Sequence, residues 1–570
     1  MAARLHVSCA ALALLLLADS QAIAAAASPI LEISEKPVGR VPSAPPYDYP
    51  LLSPDGTRLA FVAGRAETRW VVVDGAAGSA YAKAGYLVFN ADSRHFAYLA
   101  QREGKWYAVI DGAERGPYDA LKAAPAAFSR DGKRWAFAAV RGDKWFVVAD
   151  DEEGKAYAGI GGLALSPDGR RLAYAANRGK KWFVVADGQQ GKPYDRIGTE
   201  NLRDGESRPY PVFSADGRHL VYAATQSGLW WVIVDGVEGQ PYSAVWPIHC
   251  SPDGRVVYKA ELRPRPPSPV TQFMRSWGLL PPAPPQYTCQ FFVVDGVEQQ
   301  EFPAVRDDTF RLSPDGKRFA YAGIDQAGWH VVVDGVVGPP CEFISNESPR
   351  FSPDGARVAY HAARGEHKWS FVIDGVRDDR WDAVCSECPH FSADGKRVAW
   401  EVMRGGRWYL VIDGDELKAS GEARDPHFRP GDGRLAYVIR RDDKYAAVVD
   451  GVPGPFYDWV GSGSLCFSPG GRRTAYAAMR GDKWIVVTDG VEGKQYDGVR
   501  AITFTSDGKH VVYGAVSGGG HLVVVDDQES RPYEEVVCDS RFFFDGPRAF
   551  HTTFVRDGQF VLVRFEIRRE

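Results

Sequence analysis

The chain has 570 residues, of which 45% are hydrophobic and 25% charged, with 60 Gly, 38 Pro and a net charge of −5. This composition is typical of a globular protein rich in turns, and the length favours two domains over one. The weak negative charge argues against a nucleic-acid partner, because such binding requires a strong basic field.

The N-terminus has the pattern of a secretory signal peptide. Arg4 precedes the ten-residue apolar run from Cys9 to Ala18, and the small residues Ala22 and Ala24 offer a cleavage site. The run is shorter than the roughly 20 residues of a membrane-spanning helix, which disfavours a membrane anchor. We therefore expect a signal peptide at residues 1–24 and an exported protein, periplasmic or secreted. We expect no transmembrane segment in the mature chain.

A unit of about 38 residues repeats along the rest of the chain. In the copy at 163–195, LALSPDGRRLAYAANRGKKWFVVADGQQGKPYD, turn signals separate four apolar runs. Short runs rich in Val, Tyr, Phe and Trp, bounded by Asp-Gly or Pro-Asp-Gly, predict strands joined by tight hairpins. Each unit is therefore expected to form a four-stranded antiparallel sheet, the size of one propeller blade.

The number of copies predicts an all-β chain of tandem propellers. The turn of the first hairpin recurs at Asp55, Asp92, Asp131, Asp168, Asp216, Asp253, Asp315, Asp354, Asp394, Asp432, Gly470 and Asp507. Rings usually hold four to eight blades, so we expect about twelve or thirteen blades, six and then six or seven. The boundary near Gln300 gives one propeller at 29–300 and another at 301–570, and a single wide ring is the alternative.

Incomplete units at the two ends of the chain predict closure by terminal strands. The C-terminal unit is expected to supply a first and a second strand, and the N-terminal segment a fourth and a third. Such a pairing would remove exposed sheet edges.

Two insertions interrupt the regular spacing of the repeats. Ile197–Pro211 is expected between a fourth strand and the next first strand, and Leu262–Tyr287 between a second and a third strand. Both connections leave an up-and-down blade at the same end, so both insertions are expected on one face. Loops on a rigid scaffold usually carry binding, although the longer insertion could instead pack between two rings.

The repeated segments SPDGRRLAYAA, FSPDGARVAYHAA and LSPDGKRFAYAG resemble the WD40-like repeats of the TolB-type propellers, over about residues 45–565. The resemblance implies the propeller fold. It implies either an exported binding platform or the gating domain of a prolyl-oligopeptidase-like enzyme. We expect neither the N-terminal α/β domain of TolB nor a hydrolase domain after the last strand.

A basic residue recurs in the turn between the second and third strands. A ring of guanidinium groups could attract an acidic peptide, a phosphate or an anionic glycan. The alternative is a solvated turn in which each arginine pairs with a nearby acid. The candidate partner-binding residues are Arg102, Arg141, Arg178, Arg364, Arg404, Arg441 and Arg480, with Arg263, Arg265 and Trp277 from the longer insertion.

Other recurring or paired residues favour structural roles. Cys385 and Cys388 form a CxxC without a second pair, which indicates a disulfide or two thiols and not a zinc site. A tryptophan recurs once in most repeats, as expected of packing. It is found at Trp106, Trp145, Trp182, Trp231, Trp329, Trp369, Trp408 and Trp484.

The sequence contains no GxSxG, HExxH or P-loop motif. His249, His390, His427 and His521 fall in different repeats without ligand spacing. We therefore expect no catalytic residue, metal or cofactor. The predicted function is an exported non-enzymatic binding or scaffold protein that recognises a protein, peptide or other macromolecular partner through loops on one face. The alternative is a propeller enzyme, a hydrolase or lyase acting on a carbohydrate or peptide at a channel mouth.

Overall fold

The computed structural model describes residues 30–41, 50–65, 68–122, 126–198, 211–246, 248–251, 253–262, 288–345, 348–363, 369–385, 389–537 and 541–568. These residues form thirteen antiparallel sheets and one short 3-10 helix, Asp307–Thr309. We number the sheets as blades 1 to 13 in chain order, with the terminal sheet last, and call the four strands of a blade a, b, c and d.

Strands b and c form the regular centre of each blade. The b strands of blades 1 to 12 are Leu59–Arg65, Phe96–Arg102, Trp135–Arg141, Leu172–Arg178, Leu220–Gln226, Val256–Leu262, Phe319–Asp325, Val358–Ala363, Val398–Arg404, Leu435–Arg441, Thr474–Arg480 and Val511–Ser517. The c strands are Thr68–Val73, Lys105–Ile110, Lys144–Ala149, Lys181–Ala186, Leu229–Val234, Cys289–Val294, Gly328–Val333, Trp369–Ile373, Arg407–Ile412, Lys444–Val449, Lys483–Thr488 and Gly520–Val525.

Strands a and d are shorter or interrupted. Strand a is continuous at Leu51–Leu52, Lys83–Phe89, Gly159–Leu165, Glu422–Phe428 and Gly498–Phe504. It is in two pieces at Ala120–Leu121 and Ala127–Phe128, Arg196–Ile197 and Val212–Phe213, Ala244–Val245 and His249–Cys250, Ala304–Val305 and Arg311–Leu312, Phe343–Ile344 and Arg350–Phe351, Ala383–Val384 and His390–Phe391, and Trp459–Val460 and Cys466–Phe467. The d strands are Ala76–Ala77, Ala113–Tyr118, Glu152–Glu153, Gln189–Gln190, Val237–Glu238, Val297–Glu298, Val336–Val337, Val376–Asp378, Asp415–Glu416, Val452–Pro453, Val491–Tyr496 and Gln528–Glu529.

The turns follow from the Asp-Gly pairs of the repeat. Between strands c and d, Asp74 and Gly75 both have positive φ, 52° and 86°. Such a pair fits the two-residue hairpin whose twist matches that of the strands. Between strands a and b, the Ser53 hydroxyl donates to the Asp55 carboxylate over 2.6 Å, which fixes the SPDG turn.

The alternation of large and small residues in strand b explains how neighbouring blades pack. Ala136 and Ala138 of blade 3 lie against Tyr174 and Phe183 of blade 4 in one buried cluster. In most blades one face of strand b carries a large ring and the other carries small or aliphatic residues, so a sheet seats its rings against the small residues of the sheet before it. Burying such an aromatic side chain stabilises the fold by roughly 1.5–3 kcal/mol.

An arginine after each SPDG turn joins neighbouring blades. Arg58 donates to the Asp74 carboxylate of its own blade over 2.8 Å and to the carbonyl of Arg94 in the next blade over 2.7 Å. Arg255 repeats this pattern, and it reaches Asp295 over 2.7 Å and the carbonyl of Lys317 over 2.9 Å. The same contact therefore crosses the position near Gln300 where the sequence predicts a boundary between two rings.

The thirteen blades of the described residues form one ring, and the prediction of two tandem propellers is wrong. Phe292 and Val294 of blade 6 pack with Phe319 and Tyr321 of blade 7 in one buried cluster, as in any other pair of neighbours. Residues 29–300 and 301–570 are therefore not separate rings. The division of the chain into domains at 29–300 and 301–570 stays a prediction.

The predicted closure by terminal strands is confirmed, but its division differs. Blade 13 takes strands a, b and c from the C-terminal region, Glu535–Val536 with Phe543–Gly546, Ala549–Arg556 and Gln559–Arg568, and strand d from Ile30–Arg40. Asp557-Gly558 is thus a b–c hairpin, where the sequence suggested the first hairpin of a repeat. The sequence of a two-residue turn does not indicate which pair of strands the turn joins.

Strand a lies on the inner edge of the ring and strand d on the outer edge. Strands a of adjacent blades contact each other, for example Gly159–Leu165 and Val212–Phe213. The d strands carry the most exposed large apolar side chains, such as Val376 at 75% exposure. The b–c hairpins define one face of the ring, which we call the b–c face.

The two insertions do not both begin and end at the b–c face. Arg196–Ile197 and Val212–Phe213 pair with the same strand, Leu220–Gln226, so residues 199–210 interrupt strand a of blade 5. Residues 263–287 connect strands b and c of blade 6, as predicted, and therefore start and end at the b–c face. The residues within both insertions, together with the signal segment 1–24, lie outside the described residues.

Candidate functional site

Most of the candidate arginines at the b–c turns are held by a glutamate twelve residues later in the same blade. Arg141 makes two hydrogen bonds to Glu153, of 2.8 and 2.7 Å, and Arg480 makes two to Glu492, of 2.9 and 2.7 Å. Arg102 with Glu114 and Arg404 with Glu416 repeat the arrangement.

A tyrosine of the preceding blade completes this group. The Tyr81 hydroxyl donates to Glu114 over 2.6 Å, and the Tyr457 hydroxyl donates to Glu492 over 2.9 Å. Glu114 and Glu492 thus each join an arginine of their own blade to the neighbouring sheet. The hydrogen bonds that Arg102 donates to Glu114 are the main reason why the pKa of Arg102 is raised. The guanidinium groups of these four arginines are thus paired within their own blades, and their assignment to partner binding stays a prediction.

Two candidate arginines differ from this pattern. Arg441 has Pro453 at the glutamate position and donates instead to the carbonyl of Ser420 over 2.9 Å. Arg178 has Gln190 there, is exposed, and has no ion-pair partner in the described part of the chain. Arg263, Arg265, Trp277 and Arg364 lie outside the described residues, and their assignment to partner binding stays a prediction.

The tryptophan row packs inside its own blade. A Cβ atom added to Gly161 would lie 3.4 Å from the ring of Trp182. A Cβ atom added to Gly461 would lie 3.4 Å from the ring of Trp484. The glycines in strand a thus make room for the indoles. In blade 5 the tryptophan at this strand position is Trp230, which lies opposite Thr225. The prediction of Trp231 was wrong, because the two tryptophans are adjacent in the sequence.

A polar cluster on the inner edge of blades 9 and 10 is the second candidate site. Glu401, whose side chain is 7% exposed, accepts hydrogen bonds from Arg424 Nε over 3.0 Å and from the Asp425 backbone N–H over 2.7 Å. Asp425 in turn accepts from His427 Nε2 over 3.0 Å and from the Gly463 N–H over 2.9 Å. The cluster thereby connects blades 9, 10 and 11.

The charges of this cluster are balanced by its own members. Burial alone would raise the pKa of Asp425, but the hydrogen bonds from His427 and Gly463 and the charges of His427 and His390 lower it. Burial lowers the pKa of His390, and nearby Glu401 opposes this effect. A carboxylate bound to one imidazole nitrogen orients the ring so that the other nitrogen can exchange protons.

Polar residues occur at one position of strand b that is small or aliphatic in most blades. The fourth residue of strand b is Lys259 in blade 6, His361 in blade 8 and Glu401 in blade 9. Lys259 pairs with Asp307 of blade 7, and its ammonium lies 3.9 Å from the centre of the Trp246 ring. His361 is 2% exposed, its Nε2 has no hydrogen-bond partner, and burial lowers its pKa to about 4.

Sequence reasoning placed His390 and His427 in unrelated repeats, yet adjacent blades bring them together. Both precede the phenylalanine that ends strand a, in the same repeat position as Arg350. A comparison of the repeats at this position and at the fourth residue of strand b would have revealed the cluster. Among the described residues, no group of three or more His, Cys, Asp and Glu could hold a metal ion. Cys388 lies outside the described residues, and the Cys385–Cys388 pairing stays a prediction.

No family model and no curated protein matches the chain. Similar solved structures include a eukaryotic initiation factor, with 12% identity over 70% of this chain and 99% of that chain and a TM-score of 0.30. The β-propeller domain of the Trilobed protease from Pyrococcus furiosus shows 10% identity over 58% and 94%, with a TM-score of 0.23. TolB from Acinetobacter baumannii shows 14% identity over 55% and 61%, with a TM-score of 0.17.

The chain is a multi-blade β-propeller, as its sequence predicts. The decisive observation is the strand order a-b-c-d, repeated in blade after blade around one ring. At these identities the likeness to the solved structures concerns the fold alone. Among the described residues, no helix is long and apolar enough to span a membrane.

Proposed function

We propose that the protein is an exported, non-enzymatic binding scaffold that recognises a protein, peptide or other macromolecular partner through its b–c face. The observation that carries this proposal is the connection after Leu262. Residues 263–287 stand where other blades need a turn of only two residues, such as Gly142-Asp143 in blade 3. Long connections on a rigid frame are the usual place of binding.

The frame around this connection is held in a way that suits a scaffold. Asp119 accepts a hydrogen bond from the Gly142 N–H of the next blade over 2.7 Å and an ion pair from Lys105 of its own blade. Asp458 repeats both contacts with Gly481 and Lys444. Because several neighbouring blades are tied together in this way at the b–c face, the positions of their loops relative to one another are fixed in advance, which reduces the entropy cost of binding.

Replacing residues 263–287 with Gly-Asp tests the proposal. The tagged wild-type protein and the variant are expressed in the same cells and cross-linked to their partners in the exported fraction. We expect a partner that the wild type captures to be lost from the variant. Lys133→Glu, at an exposed a–b turn on the opposite face, serves as the matched control and should retain it. Retention of every partner by the loop variant would refute the assignment of the b–c face.

A second candidate function is hydrolysis or elimination on a carbohydrate or peptide, and the Glu401–Asp425–His427 cluster favours it. In this function the free Nδ1 of His427 takes a proton from water or from the substrate, and Asp425 holds the ring. Polysaccharide and peptide libraries are incubated with the wild type and with His427→Gln. Turnover that the substitution abolishes, with the fold intact by circular dichroism, supports the enzyme, and no turnover by the wild type excludes it.

A further inference from the structure

We propose that Arg500 and His521 form a binding site for an oxyanion, a carboxylate or phosphate group of a ligand, on the inner edge of blade 12. Arg500 is the third residue of strand a in this blade, and His521 is the second residue of strand c. His521 is the second residue after the b–c turn of blade 12, so the site lies beside the b–c face, but it does not rest on the proposed function.

Two arginines at the same strand position have a carboxylate partner. Arg306 of blade 7 makes two hydrogen bonds to Asp308, of 3.2 and 2.8 Å. Arg424 of blade 10 donates to Glu401 over 3.0 Å. Arg500 has no such partner in the described part of the chain, and its only hydrogen bond goes from Nη2 to Nδ1 of His521 over 2.6 Å.

The guanidinium of Arg500 is held in place at a cost. It is half-buried, and its Nε is buried without a hydrogen-bond partner. An arginine stays charged at any ordinary pH, and a charge removed from water normally requires a counter-ion. Burial lowers the pKa of Arg500, as expected of a cation without one.

Two substitutions in blade 12 create the space for this arrangement. Gly514 occupies the strand b position that carries Glu401 in blade 9, and a Cβ there would lie 3.0 Å from Cγ of Arg500. His521 lies opposite Val516, at the position that Trp408 occupies opposite Met403. Blade 12 thus has a glycine in place of the acid and a histidine in place of the indole. As a result, Arg500 and the imidazole of His521 face each other.

The imidazole of His521 adds a second donor. Arginine can only donate, so Nδ1 of His521 accepts, and the ring is neutral with its proton on Nε2. Burial and the charge of Arg500 lower the pKa of His521, while nearby Glu535 opposes this effect. Glu535 is exposed and makes no ion pair with Arg500 among the described contacts. A guanidinium and an imidazole N–H with no acid to accept from them match an acceptor-only ligand group, namely a carboxylate or a phosphate.

The pKa of His521 measures occupation of this site. A bound anion compensates the charge of Arg500 and stabilises the protonated form of His521. Because the negative charge of the anion would lie at short range, the pKa of His521 should rise by about one pH unit. The imidazole signals are followed by NMR over pH in sodium acetate, in sodium phosphate and in sodium chloride of equal ionic strength. The signal that disappears in His521→Gln identifies the residue.

We expect the rise in acetate, in phosphate or in both, and not in chloride. A response to acetate alone identifies a carboxylate ligand, and one to phosphate alone a phosphate ligand. An unchanged pKa in both anions overturns the proposal.

Thermal unfolding provides a second measurement. The same anions should raise the midpoint temperature of unfolding of the wild type. They should do so equally in the matched control Arg306→Gln, because Arg306 is already paired with Asp308 and is not expected to bind the added anion. Arg500→Gln should lose this response. A full response in Arg500→Gln would overturn the proposal, and if this variant does not fold, the NMR titration of the wild type decides.

Discussion

The hydroxyl of Tyr533 donates a 2.8 Å hydrogen bond to the carboxylate of Glu35, and this contact joins residues 498 positions apart in the chain. It reproduces the bond from Tyr81 to Glu114 inside the ring. Arg531 and Arg556 also bind Glu35. The terminal sheet is therefore closed by the same connector that joins the other blades, with the N-terminal strand supplying the acid.

Replacing Glu35 with alanine should loosen the N-terminal strand. The variant leaves the partly buried donors of Tyr533 and Arg556 without their acceptor, a loss of about 1–3 kcal/mol. Hydrogen exchange should accelerate in residues 30–40, because among the described strands this strand pairs only with strand c of blade 13. Glu114→Ala removes the equivalent acid from a blade that is continuous in sequence and should leave exchange in residues 30–40 unchanged. Equal exchange of that strand in the wild type and in Glu35→Ala would show that the carboxylate does not hold the closure.

The blade could be predicted from the sequence, but the ring could not. Tight Asp-Gly turns, the alternation in LAYAA and the spacing of the repeats are local signals, and they specify each four-stranded sheet. The number of blades in the ring depends on small angles between neighbouring sheets, to which no single residue corresponds. The Pro-rich segment before Gln300 suggested a boundary, yet Arg255 and Phe292 pack across it like their counterparts elsewhere.

The candidate sites were predicted only in part, for a related reason. The arginine row was visible because it recurs, and recurrence in this fold mostly marks connectors, as with Arg141 and Glu153. The polar cluster was missed because Glu401 and Asp425 occur once each. Residues that break the repeat pattern are the better guide here, and the distance between them follows from which blades are neighbours.

Stability should fall between pH 6.5 and about 4 because of His361. Its pKa is lowered from 6.5 to about 4 by burial. The unfolded chain therefore binds a proton that the folded chain excludes. The contribution of this neutral ring is present above pH 6.5 and is lost as the pH falls, by up to about 3 kcal/mol.

The measurement is urea denaturation of the wild type and of His361→Ala across this range. Blade 7 has Ala322 at the same position of strand b, so the blade already accommodates alanine there. The free energy of unfolding should fall less in the variant between pH 6.5 and about 4, by up to about 3 kcal/mol. Identical slopes in the two proteins would show that His361 takes up its proton without unfolding.

The two kinds of arginine at the b–c turns should respond differently to substitution. Arg480→Ala removes a half-exposed ion pair with Glu492 and a contact with the ring of Tyr457, so it should cost up to about 1 kcal/mol. Arg178→Ala removes no such contact and should leave the free energy of unfolding unchanged within about 0.5 kcal/mol. If the b–c face binds an acidic partner, Arg178→Ala should weaken binding more than Arg480→Ala does. A larger stability loss in Arg178→Ala would contradict the assignment of Arg480 as the connector.

The contact between Glu401 and Arg424 should be strongly coupled, and a double-mutant cycle measures it. Glu401 is almost buried while Arg424 is half-exposed, so removing the acid leaves a cation that water can solvate. The main loss in Glu401→Ala is then the acceptor for the Asp425 N–H, and we expect a cost of about 1–3 kcal/mol. Arg424→Ala removes a cation from beside a buried carboxylate, which should also cost stability. The double variant should be less destabilised than the sum of the two, because each change removes the same contact. Additive losses would show that the backbone contact of Glu401, and not the ion pair, holds blades 9 and 10 together.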